Sequence, residues 1–129
     1  MVFDVNPIPN WVYDLPITII QESTYGTMVS SDVEPVFRDN IVNAIEQHKQ
    51  IVCPVFSLAR SQEIMLTVKQ MQDEGLISKS IPVFYDGKLG TTYNSLYECG
   101  ALDLNENASN FQPVNFKYVE NKQKRNAII

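Results

Sequence analysis

Residues 17–27 read ITIIQESTYGT, and the fold turns on that stretch. Its β-branched apolar run lacks polar alternation, the pattern of a strand covered on both faces, as in a parallel sheet. The run ends abruptly in Gln21, Glu22 and a small polar loop. Glu22 either solubilises a strand end or is delivered by the strand into a crevice.

Working outward, Ser31 or Asp32 is placed to cap a helix that carries Glu34 and Pro35 in its first turn, where a missing N–H costs little. Val36, Phe37, Ile41, Ala44 and Ile45 recur at helical spacing up to about Gln50. Residues 51–55, IVCPV, read as a second buried strand, with Pro54 ending the ladder on one side. After FSLARSQ a helix turns Ile64, Met65, Val68 and Met71 inward. Gly75 ends it, with Leu76 and Ile77 set for a Schellman-type contact. IPVFYD is a third strand, and GKLGTTYNSLYECG is a turn and short helix with Tyr93, Leu96 and Tyr97 inside. LDLNENASN is a polar loop, FQPVNFKYVE a fourth strand or extended segment, and NKQKRNAII a basic stretch with an apolar end.

Residues 1–16 hold Pro7, Pro9 and Pro16 and read as an extended lead-in, leaving 17–129 as one domain. Strand and helix alternate with connections too long for hairpins. The pattern predicts an α/β fold, a three-layer unit with a mainly parallel sheet and helices on both faces. Ligands collect outside the carboxyl ends of such strands. Those ends are Glu22 with Ser23, Phe56 with Ser57, and Asp86 with Gly87, which favours a functional Glu22.

The totals set bounds on partners. At 129 residues, 44% hydrophobic and 19% charged, the composition fits one globular domain and excludes a disordered chain. A net charge of −5 excludes a generally basic surface, so a polyanion would need a local basic pocket. Cys53 and Cys99 lie far apart and read as reduced thiols of a cytoplasmic protein. No apolar run is long enough to span a bilayer and the first residues lack a signal-peptide pattern, so no membrane partner is expected. One histidine, His48, and two distant cysteines build no zinc site within this sequence, so no metal ligand is assigned. His48, near a helix C-terminus, reads as structural or solvent-facing. KQKR reads as a solvated face, with only weak support for RNA contact.

Two strand ends carry candidate chemistry. In FSLARSQE, Ser57 precedes a helix start whose free N–H groups suit an anion. Arg60 in that first turn opposes the dipole, which calls for an anionic partner: a ligand phosphate, or Glu63. On local sequence these two readings weigh equally. Asp86, Gly87 and Lys88 repeat the theme, although Asp-Gly more often makes a turn and nothing else.

Taken together, ITIIQESTYGT, IVCPVFSLARSQEIM, the helix closing in EGL, and IPVFYDGKLG with Tyr97 beyond it resemble the β-CASP domain. That domain belongs to metallo-β-lactamase-fold nucleases, including RNA 3′-end cleavage endonucleases and bacterial and archaeal ribonucleases. The family pattern runs strand-ESTYG, strand-P-[SV]-FALGR-x-QE and strand-Y-DSPLA, and the resemblance covers about residues 17–97. Ala59 stands where the family usually has Gly, and Gly87, Lys88 and Gly90 replace Ser, Pro and Ala of DSPLA. The family's HxHxDH motif and SGH turn are absent from this sequence. The resemblance therefore implies a β-CASP segment of a longer enzyme, whose metallo-β-lactamase domain would be a partner.

By resemblance Glu22 is the acidic residue that orients a downstream histidine, itself the general acid on the leaving oxygen. Ser57 and Arg60 would hold an RNA phosphate, a contact that positions without reading sequence. Tyr25, Gln62, Asp86 and Lys88 are further cleft candidates. The implied function is RNA phosphodiester hydrolysis by a hydroxide held between two zinc ions in the full-length parent. This chain would supply the cap over the cleft and be inactive alone. The rival reading is a non-catalytic interaction or RNA-docking module in an RNA-processing assembly. Oligomeric state is not legible.

Overall fold

The computed structural model describes residues 9–16, 18, 33–99 and 110–128. The α/β class is as expected: among the described residues four α-helices accompany a two-stranded parallel sheet. Helix α1 spans Glu34–Glu46 and α2 Arg60–Asp73; strand β1 spans Val83–Tyr85, α3 Lys88–Glu98, β2 Phe116–Tyr118 and α4 Lys122–Ile128. The strands pair in parallel with Val83 opposite Phe116, Phe84 opposite Lys117 and Tyr85 opposite Tyr118. The connection between them carries α3, the long crossover that parallel pairing demands.

Helix endings follow local chemistry closely. Gly75 has φ 77°, its N–H donates to Gln72 C=O at 3.3 Å, and Leu76 N–H donates to Met71 C=O at 2.9 Å. This is the expected Schellman closure. Ile77, buried with Met71 and Ile41, supplies the apolar contact, while Leu76 stays exposed. The end of α1 uses the same device without glycine. His48 takes φ 53°, donating to Ile45 C=O, and Lys49 donates to Ala44 C=O, both at 2.9 Å. The single histidine is thus a left-handed helix terminator.

Four expectations are corrected. Residues 51–55 form no strand, and each is exposed: with no described strand beside them, their apolar side chains meet no sheet neighbour. Inside the lead-in, Asn10–Asp14 winds into a 3₁₀ helix behind Pro9. Leu96, expected inside α3, is exposed; the expected α1 caps, Ser31 and Asp32, lie outside the described residues. Val36 faces solvent, and Val42 packs in its place with Phe37 and Ile45.

Two apolar clusters flank α2. Met65 and Leu66 meet Tyr97 and Phe111, with Tyr85 and Phe116 packed against them. Met71 meets Ile41 and Ile77. Between them Gln72, 2% exposed, clamps the chain before β2. Its Oε1 accepts the Val114 N–H at 2.7 Å and its Nε2 donates to Val114 C=O at 3.3 Å.

Gly90 shows why α3 can lie so close to β1. A Cβ there would sit 1.7 Å from Tyr85 Oη and 2.5 Å from its Cζ. Tyr85 cannot easily yield, because its ring packs on Phe116 and Tyr118 at 6.3 and 6.0 Å. Gly90→Ala should therefore destabilise the fold by about 1–3 kcal/mol of overpacking, although alanine is the better helix former by about 1 kcal/mol. Urea melts check this, and Tyr85→Phe, which removes the nearest atom, should recover part of the loss.

Candidate functional site

The start of α2 is built on an unusual turn. Ala59 has φ 67° and ψ −66°, and Arg60 N–H donates across it to Leu58 C=O at 2.9 Å. This is the γ-turn of the rare, strained hand, costing a non-glycine residue about 1–3 kcal/mol. Among the described residues no side chain caps the helix, and the N–H groups of Ser61 and Gln62 meet no backbone acceptor. Arg60 stands at this end with its side chain 72% exposed, bonded through Nη1 to Glu63 at 2.6 Å. Glu63 is thus its partner in this structure. The Glu63 side chain is only 13% exposed, so the pair is solvent-open on the Arg60 side alone, where the remaining guanidinium donors face outward.

Behind the turn lies a polar network. Ser57 C=O accepts from Ser61 Oγ and from Gln62 Nε2, each at 3.1 Å. Gln62 Nε2 also donates to Asn94 Oδ1 at 2.6 Å, and Asn94 Nδ2 donates to the Tyr118 hydroxyl at 3.2 Å. Tyr85 Oη donates to Ser61 Oγ at 3.3 Å. Burial, ahead of the nearby Glu98 charge, pushes the Tyr118 phenol above its ordinary value, so it is neutral at physiological pH. Gln62 does not line an open cleft: it is 0% exposed, and its amide is spent on holding Ser57 and Asn94.

The carboxyl end of β1 is occupied differently. Asp86 takes a bidentate contact from Arg125 of α4, with Nη2 to Oδ1 at 2.7 Å and Nε to the other oxygen. That hydrogen-bonded guanidinium holds the Asp86 carboxyl below the usual range. The pair ties α4 to the strand end, so Asp86 acts as an anchor for the basic stretch. Lys88 is exposed at the first position of α3. Ser57 and Arg60 share the α2 turn, and Asp86 and Lys88 share the β1 end. Glu22 and Tyr25 lie outside the described residues.

No family model matches the chain, and no solved structure matches it significantly. Curated relatives do match. Cleavage and polyadenylation specificity factor 73 of Drosophila melanogaster is 27% identical over 107 residues, covering 81% of this chain and 16% of the relative. An endoribonuclease of Schizosaccharomyces pombe is 27% identical over 95 residues, 71% of this chain and 12% of its own. An RNase of Saccharolobus solfataricus is 35% identical over 72 residues, 54% of this chain and 13% of its own. Its homologues are β-CASP nucleases of the metallo-β-lactamase fold. The chain spans less than a fifth of the length of these relatives.

The departure from the β-CASP pattern at Ala59 now has a physical meaning. A position where the family pattern has Gly is here a γ-turn with φ 67°. Ala59→Gly should stabilise the domain by about 1 kcal/mol, the relief of strain less the entropy glycine returns to the unfolded chain. A higher urea midpoint at unchanged slope is the expected result. The donor set of a zinc pair does not fit the described residues, since no three His, Cys, Asp or Glu side chains gather among them. What these residues offer is hydrogen bonding and, at the start of α2, outward-facing donors. Sequence reasoning missed Asn94 and undervalued Gln62. The available signal was that Gln62, Met65 and Gln72 share the stripe that α2 buries.

Proposed function

We propose that this chain supplies the β-CASP portion of a nuclease that hydrolyses RNA phosphodiester bonds, covering the active-site cleft and gripping the RNA backbone. The observation that carries this reading is the start of α2, where exposed Arg60 stands beside uncapped N–H groups. Helix N-termini and a planar guanidinium both suit phosphate. The relatives' names, an endoribonuclease, an RNase and a cleavage factor, support RNA processing as the class. In this reading Glu22 orients the group that protonates the leaving oxygen, and Ser57 and Arg60 fix one phosphate upstream of the chemistry.

Titrating the chain with inorganic phosphate should move the amide resonances of residues 56–62 and leave those of α3 in place. Arg60→Ala should remove at least nine-tenths of the response, because it deletes the charge and the bidentate fork while leaving the N–H groups. Shifts indifferent to phosphate, or to Arg60→Ala, would contradict this assignment. RNA binding by the full-length gene product without cleavage would instead favour the docking-module role.

A further inference from the structure

Strain of the kind found at Ala59 persists only where the surroundings over-determine it. Ser57 C=O, two residues before Ala59, is held by two buried side chains: Ser61, 2% exposed, and Gln62, 0% exposed. Both lead onward to other elements. Gln62 is bonded to Asn94 of α3, itself 0% exposed, and Asn94 to Tyr118 of β2. Ser61 is bonded to Tyr85 of β1. The turn is thereby referenced to the sheet and to α3 as well as to its own helix.

Gln62 reveals what this arrangement favours. Its Oε1 is buried with no hydrogen-bond partner among the described residues, a costly state for an acceptor. Turning the amide over would set oxygen against the Ser57 carbonyl and Asn94 Oδ1, so the orphan is fixed by the two bonds that Nε2 makes. An apolar side chain of the same length would carry no orphan of its own, but it would take the donor from buried Asn94 Oδ1. The amide's distinctive contribution is its donors.

We propose that Gln62 and Asn94 are positioning residues: their amide relay locks the Ser57 carbonyl, which holds the strained turn at Ala59 and aims Arg60 outward. The purpose given to Arg60 rests on the phosphate reading above; the locking of the turn does not.

The test uses the whole chain and two readouts. Hydrogen exchange at the Arg60 amide, the donor of the γ-turn bond, is compared with that at Val68 in mid-helix. Gln62→Met and Asn94→Leu should each speed Arg60 exchange at least tenfold relative to Val68, and weaken inorganic phosphate binding at least fivefold. Adding Ala59→Gly to Gln62→Met should restore most of the phosphate affinity, since glycine holds the turn without strain; a purely structural role would predict no such rescue. If Gln62→Met fails to fold, Ser61→Ala removes one of the two bonds to Ser57 and should move the exchange ratio in the same direction. An unchanged exchange ratio in folded variants overturns the proposal. A wild-type chain that ignores phosphate overturns the phosphate reading instead, and the exchange ratio still decides the locking.

Discussion

Phe111→Ala should cost the domain about 3–5 kcal/mol, the range for deleting a fully buried aromatic side chain. Phe111 is 1% exposed and packs on Met65 and Leu66 of α2 and on Tyr97 of α3, with its ring 5.6 Å from that of Tyr97. It joins two helices and the entry to β2 in one contact. The space left behind cannot close easily, because Gln72 pins Val114 three residues later. Domains of this size have only about 5–15 kcal/mol to lose, so the variant should be partly unfolded under mild denaturant. Urea melts at constant slope measure it, and a loss below about 1 kcal/mol would mean that Phe111 is not the core residue described.

Helical periodicity was legible where a helix has one apolar face. The apolar face of α2, its stop at Gly75 and the site of β1 all follow from residues that act on near neighbours. Residues 51–55 misled because a short apolar run reads as a buried strand whether or not anything covers it. No apolar period marks α4, since it buries none of its residues. The candidate site divides in the same way. That Ser57 and Arg60 flank a helix start was visible in the sequence, as was Glu63 as the alternative partner for Arg60. The bond from Asp86 to Arg125 spans 39 residues, beyond the reach of any local rule. The polar network is non-local too: Gln62 and Asn94 look like surface amides until α2 and α3 are packed together. At Ala59 the departure from the family's Gly was visible, but its consequence, a strained turn, needed the backbone angles.

Glu22→Gln carries the other large effect. The substitution keeps shape and removes charge. If the carboxylate serves chemistry and not folding, stability should stay within about 0.5 kcal/mol, as for an uncoupled surface change. A carboxylate that orients the proton donor acts on the leaving oxygen, so its loss should appear in the cleavage step and spare RNA binding. General acid–base catalysis contributes about 100–10,000-fold, and losing the orienting charge should cost at least the lower end of that range. The contrary pattern, a less stable domain that turns over normally, belongs to a residue that merely finishes a strand.

The most direct test of a nuclease role is the single-turnover cleavage rate of a labelled RNA by the full-length gene product, wild type against Glu22→Gln, at saturating enzyme. A fall of roughly a hundredfold with unchanged RNA affinity is the predicted result; cleavage at the wild-type rate would contradict it.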